Sequence, residues 1–287
     1  MAPSHTLSLP GSANAAELAQ GSIFFVGTAT TVIRYGGLTL LTDPNFLHAG
    51  DHAHLGYGIT TERLTDPAVE VEALPPLDLC VLSHMHGDHW DHVAEAKLPR
   101  TLPIVTTRHA ARVLAHKGFG KAQGLATWDS LLLRKGEVWL RITAMPGRHA
   151  PGVLSTLLPP VMGSLLEWGA DGEEAPRLRL YITGDTLLYE AIEEIPRRYP
   201  RIDLALLHLG GTRVLGLLVS MDARQGVQIL RLIRPRTAIP IHYNDYTVFK
   251  SPLADFMKAV AEAGLDTEVH YLHHGDTYRF EVLASGR

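Results

Sequence analysis

Leu77-Asp78-Leu79-Cys80-Val81-Leu82-Ser83-His84-Met85-His86-Gly87-Asp88-His89-Trp90-Asp91-His92 is the stretch whose reading decides the fold. Leu74-Pro75-Pro76 punctuates the chain before it, and the apolar run from Leu77 to Leu82 has the length of a buried strand. The strand ends by delivering imidazoles and a carboxylate to one rim. Residues two apart in an extended chain point the same way, so His84 and His86 can grip one ion together. Asp88 and His89 follow where the chain turns and can serve a second ion beside the first. Zinc and similar divalent metals favour imidazole nitrogen and carboxylate oxygen. Solvated loop histidines are common; four ligand-type residues within six positions behind an apolar strand are not.

Three further strand-like runs end in ligand-type residues. Val138 to Thr143 is followed by Met145-Pro146-Gly147-Arg148-His149. Tyr181-Ile182-Thr183-Gly184-Asp185 ends in Gly-Asp, and Ala238-Ile239-Pro240-Ile241-His242 ends in His. With these in place the chain resembles the metallo-β-lactamase superfamily, whose HxHxDH motif, later His, bridging Asp and final His all have matches. The resemblance implies an α/β (α+β) fold, the four-layer αβ/βα metallo-β-lactamase sandwich. It also implies one metal at His84, His86 and His149, a second at Asp88, His89 and His242, and Asp185 bridging the two.

The opening of the chain resembles one branch of that superfamily, the one containing L-ascorbate-6-phosphate lactonase and N-acyl-phosphatidylethanolamine phospholipase D. Those proteins share a Gly-His-Ala/Ser-Thr turn and an apolar strand pair ending in Thr-Asp-Pro. Here the turn reads Gly27-Thr28-Ala29-Thr30, so Thr28 stands where the branch has His, and Thr42-Asp43-Pro44 closes the strand pair. Asp43 is a candidate to orient a metal ligand from behind, or simply a turn former before Pro44. Asp91 is placed to cap a helix or to support a ligand.

Composition bounds the rest. The chain has 287 residues, 46% hydrophobic and 20% charged, an ordinary globular balance for one large domain or two small ones. A net charge of -4 and a pI near 6.5 leave no electrostatic footprint for nucleic acid. The single Cys80 rules out an internal disulfide and reads as a core residue. No apolar run reaches bilayer-spanning length, and residues 1–20 lack the pattern of a signal peptide. The expectation is a cytoplasmic protein, with 1–20 a flexible segment and 21–287 a single domain, monomeric or a homo-oligomer.

Helices are expected over 91–97, 106–117, 187–198, 222–233 and 252–263, and strands over 22–26, 31–35, 38–44, 128–133, 138–143, 161–168, 178–183, 202–207, 267–272 and 277–282. Residues 45–60 carry His48, His52, His54, Tyr57 and several glycines. They read either as a mobile solvated loop or as a flap over the metals, with His48 and Tyr57 as substrate contacts.

In such a site two divalent cations share a water, lower its pKa to roughly 7 and yield hydroxide at neutral pH. Asp88 would ligate and orient that hydroxide. Zinc is the leading metal; manganese and iron accept the same ligands. The reaction class is hydrolysis of an ester-type bond, a phosphodiester or lactone of a small molecule. Arg148 and Arg213 are candidates for binding an anionic group, Arg213 the better of the two. His208 ends the 202–207 strand at the same rim and is a candidate proton donor to a leaving alkoxide. Tyr243 and Asp245 are weaker supporting candidates. The competing reading is a metal-binding sensor or non-catalytic binding protein on the same fold.

Overall fold

The computed structural model describes residues 5–56, 58–150, 158–214 and 216–282. Two sheets carry the fold. One has seven strands in the order Thr277–Glu281, Gln20–Gly27, Thr30–Tyr35, Leu38–Thr42, Leu79–Val81, Ile104–Thr107, Ala122–Leu125. The other has eight, in the order His5–Ser8, Ser130–Lys135, Val138–Met145, Gly163–Ala170, Leu178–Ile182, Leu204–His208, Thr237–Ile241, Glu268–Val269.

Alternation of side chains across each strand explains the layering. Leu79 and Val81 point into the space between the sheets, where Leu204, Leu206, Ile239 and Ile241 meet them. Cys80 and Leu82 point the other way, onto Ala94, Ala110 and Leu114 of the helices His92–Lys97 and Arg108–His116. On the second sheet Ala205, Leu207 and Ala238 face outward onto Ile229, Leu230, Ile233 and Phe256 of the helices Ala223–Ile233 and Leu253–Ala263. Both faces of these strands are buried, so they read as unbroken apolar runs rather than alternating ones. Helix, sheet, sheet, helix gives the expected αβ/βα sandwich.

The strands that matter for the site run parallel. Leu79–Val81 lies parallel to Leu38–Thr42 and Ile104–Thr107. Leu178–Ile182, Leu204–His208 and Thr237–Ile241 are parallel to one another. Open α/β sheets place ligands at the carboxyl ends of such strands. Asp91 accepts a 2.7 Å bond from the Ala94 amide and Asp222 a 2.9 Å bond from that of Gln225, so both cap their helices.

Several expectations change. Residues 1–20 are not a free segment throughout: His5–Ser8 pairs in parallel with Leu131 to Arg134 at the sheet edge, and Ala15–Leu18 is a 3-10 helix with an Asn14–Glu17 capping box. Residues 187–198 do not form one helix. A 3-10 turn, Glu190–Glu193, runs into a short α-helix, Glu194–Arg198. Pro196 has no N–H, which is tolerated near a helix start but not in the middle of a long one. Only Glu268–Val269 of the 267–272 run pairs, as an edge strand. Ala122–Leu125 was not foreseen, because Ala-Gln-Gly-Leu lacks branched residues.

The described residues of 45–60 form no loose loop either. His52–His54 and Thr60–Glu62 make a hairpin, and the Gly87 amide donates to the His54 carbonyl at 2.9 Å. A Cβ on Gly87 would stand 2.6 Å from the His54 nitrogen, so the hairpin lies against the metal-motif turn only because position 87 is glycine. Tyr57 and residues 151–157 lie outside the described residues. Among the described residues, no helix is long and apolar enough to cross a membrane.

Candidate metal centre

The turn after Leu79–Val81 is held at both ends. The Ser83 amide donates to Asp43 Oδ1 at 2.6 Å, and Trp90 buries its ring on Phe119 with centroids 5.1 Å apart. Between these anchors the chain presents His84, His86, Asp88 and His89. Across the gap between sheets, the Met162 amide donates to the Ser83 carbonyl and the His242 amide to the Thr28 carbonyl. The Arg148 amide bonds Thr186 Oγ1 at 3.0 Å, which draws the His149 loop against the Asp185 loop. Gly184 takes a φ of +62°, and a Cβ there would sit 2.7 Å from the Met162 carbonyl oxygen. Only glycine lets the strand turn so that Asp185 reaches the centre.

The result is two sets of side chains whose donor atoms lie within 4.8 Å of one another: His84, His86 and His149; and Asp88, His89, Asp185 and His242. All seven residues are buried. His84 Nε2 is 2.9 Å from His86 Nδ1, and the His149 ring lies 4.4 Å from that of His84. In the second set His89 Nε2 is 3.4 Å from Asp185 Oδ2, and His242 Nε2 is 3.4 Å from Asp88 Oδ2.

Most of these imidazoles are held from behind. His84 Nδ1 meets Ser83 Oγ at 2.9 Å, and His89 Nδ1 meets Asp43 Oδ2 at 3.2 Å. His242 Nδ1 meets the Leu209 carbonyl at 3.1 Å and His149 Nδ1 the Val219 carbonyl at 3.4 Å. A carbonyl only accepts, so Nδ1 carries the hydrogen in His242 and His149, and Nε2 is the nitrogen turned to the centre. Asp43 thus lies behind His89, at hydrogen-bonding distance of its Nδ1. Its carboxyl is held down at about 2: burial alone would raise it, but His89 and then His208 outweigh burial.

Asp43, His89 and His208 form a third close set. The histidine nitrogens lie 3.2 and 3.3 Å from Asp43 Oδ2, at hydrogen-bonding distance, behind the second set. This corrects the reading of His208 as a rim proton donor. It is wholly buried, with Nε2 on Asp43 and Nδ1 3.2 Å from Thr183 Oγ1, and so has no free nitrogen for a leaving group. It steadies Asp43 instead.

Electrostatics divide the two sets. Burial pushes His84 well below the usual imidazole value, and His89 and His149 add to it. Burial, then His86, takes His149 down to about 3. Burial also works against charge on His89 and His242, yet the carboxylates facing them, Asp185 foremost, raise both. Asp88 and Asp185 are held below the carboxylate range because His89 and His242 outweigh the desolvation. The first set thus disfavours charge on its imidazoles, whereas the two carboxylates of the second favour it on His89 and His242.

Other candidates fall elsewhere. Asp91 caps its helix and accepts from the amides of Phe46 and Leu47, tying the 45–47 turn down without touching a ligand. His48 Nε2 is 2.7 Å from Glu70 and does not join the clusters. Arg213 is exposed on a short hairpin, Arg213–Val214 with Leu217–Leu218, and donates to the Gly216 carbonyl at 3.1 Å. That hairpin runs into Val219, whose carbonyl supports His149. Arg148 stacks over the Tyr189 ring at 4.2 Å. Tyr243 donates to the Leu272 carbonyl, and Asp245 accepts from the Thr28 amide at 2.8 Å. Arg63 and Asn45, both fully buried, were not anticipated; an arginine beside Glu62 looks like any surface residue.

The chain is similar to a protein named a metal-dependent hydrolase from Archaeoglobus fulgidus, 28% identical over 206 residues, 71% of this chain and 82% of the relative. A protein of the same description from Pyrobaculum islandicum is 27% identical over 263 residues, 90% of this chain and 99% of the relative. The solved isothiocyanate hydrolase from Delia radicum gut bacteria superposes with a TM-score of 0.76 at 20% identity, covering 91% of this chain and all of that one, and so shares the fold. Residues 39–243, which hold every residue of both sets, match the family described as the beta-lactamase superfamily domain, and the chain belongs to that family.

Proposed function

We propose that the chain is a metal-dependent hydrolase that uses two divalent cations, zinc foremost, to cleave an ester-type bond of a small molecule, a phosphodiester or a lactone. One observation carries the reading. Twelve buried side-chain polar atoms lack a hydrogen-bond partner among the described residues, and five are His86 Nε2, Asp88 Oδ1, His89 Nε2, His149 Nε2 and Asp185 Oδ1. Leaving such atoms unsatisfied is costly, and converging on one centre they fit cations. His84, His86 and His149 would hold one; Asp88, His89 and His242 would hold the other, with Asp185 between them. Bound there, the cations supply an acidified water and stabilise charge developing on a substrate oxygen. Asp88 is placed to accept a proton and orient the attacking group, and the Nδ1 partners keep the imidazole lone pairs aimed inward. The relatives described as metal-dependent hydrolases support the same reading.

Protein loaded with zinc and freed of excess should carry two equivalents by elemental analysis and turn over at least one member of a panel of phosphodiesters and lactones. Clearly less than one equivalent would sink the proposal. Full loading with no turnover on any ester would favour the sensor reading.

Loading should also depend on pH in two ways. In the metal-free protein His89 and His242 hold protons to higher pH than ordinary histidines, so a cation entering their set must displace them. His84 and His149 are already neutral. Raising the pH from about 6.5 to 8 should therefore tighten the second equivalent and leave the first nearly unchanged, with proton release seen only for the second. Calorimetry in buffers of different ionisation enthalpy reads this directly; equal proton release for both equivalents would contradict it.

For the substrate, Arg213 on the hairpin beside His149 is the proposed anion contact. A lost charge-assisted hydrogen bond costs about 1.5–3 kcal/mol, so Arg213→Ala should lower kcat/KM roughly tenfold or more on an anionic ester, with metal content intact. An unchanged kcat/KM would favour a neutral, apolar ester.

A further inference from the structure

Arg63 is fully buried, although it directly follows the short hairpin whose His52, His54, Thr60 and Glu62 are exposed. Its Nη1 donates to Thr28 Oγ1 and Asn45 Oδ1, its Nε donates to the Thr65 carbonyl at 2.9 Å, and its guanidinium lies over the Tyr246 ring at 5.2 Å. Tyr246 also donates to Asn45 Oδ1 at 2.9 Å, and Arg63 and Tyr246 form a backbone bridge.

Each of the two acceptors is one step from a residue of the second metal set. The Thr28 carbonyl accepts from the His242 amide at 2.6 Å, and the Thr28 amide is held by Asp245 Oδ2 at 2.8 Å. Thr28 and His242 both take left-handed backbone, at φ +51° and +61°, an uncommon state for residues other than glycine and one that surrounding contacts must impose. Asn45 uses Nδ2 to donate to the Gly87 carbonyl at 2.9 Å and to Asp91 Oδ2 at 3.2 Å, and Gly87 is the residue before Asp88. By contrast His84 rests on Ser83 and His149 on Val219, outside this network.

We infer that Arg63 is a positioning residue that locks His242 and Asp88 in register through Thr28 and Asn45, and so sets the affinity of the second metal site while leaving the first untouched. The inference rests on the two-cation reading above. A planar guanidinium suits the role, since Nε fixed on the Thr65 carbonyl aims Nη1 at both acceptors while the charge is offset by the nearby Asp245 carboxylate.

The test is chelator competition with zinc on full-length protein, resolving the two equivalents, with thermal melting beside it. Arg63→Met should keep the first equivalent within about twofold and weaken the second by tenfold or more. Guanidinium ion added to Arg63→Ala should restore part of the loss, which a general packing defect would not allow. If the Met and Ala variants do not fold, Arg63→Lys decides: its ammonium keeps the charge but not the fork, and the second equivalent alone should weaken severalfold. Two equivalents of unchanged affinity, or an equal weakening of both in folded protein, overturns the role of Arg63. A wild-type protein that binds no second equivalent overturns the two-cation reading instead.

Discussion

Asp185→Asn should leave a folded protein that has lost its second metal and nearly all turnover. The side chain keeps its volume, but one carboxylate oxygen becomes an amide that cannot ligate. Asp185 lies 3.4 Å from His89 and 3.5 Å from His242, and it leads the carboxylates that raise both histidines. Substituting a group that merely supports a metal ligand costs about 10–100-fold, so losing the proposed bridging ligand should exceed roughly 100-fold in kcat and in affinity for the second equivalent. The first equivalent should weaken less, because three neutral imidazoles remain. Turnover at the wild-type level with full metal content would show that the bridge lies elsewhere.

The second large effect is expected at Asp43. Asp43→Ala would take from the Ser83 amide, His89 Nδ1 and His208 Nε2, all on buried residues, the carboxylate they share. Breaking a buried charged pair from one side costs about 3–5 kcal/mol, and Ala would also inherit a φ of +33° that it tolerates poorly. Asp43→Asn should be milder in stability, since Asn accepts that backbone, yet its amide can satisfy only part of the cluster. Metal affinity at the His89 set should fall about 10–100-fold in the Asn variant. Because the folded carboxyl is depressed to about 2, its stabilisation is complete above the unfolded value and lost only as pH falls toward 2. Any difference measured at pH 7 is therefore the full one. An Asn variant with wild-type melting and metal retention would reduce Asp43 to a turn former.

What could be read in advance followed locality. The His84–His89 spacing is a property of six consecutive residues, and His149, Asp185 and His242 each follow an apolar run, so strand ends together with the family resemblance pointed to them. His208 was misjudged although its strand held the answer. Leu204 and Leu206 face the space between the sheets, and His208, two residues on, shares that face and lies under the rim rather than at its edge. Arg63 had no local signal, because what buries it is a set of acceptors at positions 28, 45 and 65. The left-handed backbone at Thr28, Asp43 and His242 is likewise imposed from across the fold. The edge strand His5–Ser8 escaped notice because its partner lies more than a hundred residues away.

Both metal sets straddle the two sheets: His84, His86, Asp88 and His89 come from the first, and His149, Asp185 and His242 from the second. Neither set exists until the sandwich has closed. During synthesis the second set stays incomplete until the Thr237–Ile241 strand has emerged and docked beside Leu204–His208, when most of the chain is already made. Pairings of such long sequence separation form late, after the cost of closing large loops has been met. The ions therefore cannot template early folding as they do in small zinc modules. Cations held in these sets would act afterwards, as staples across a finished seam.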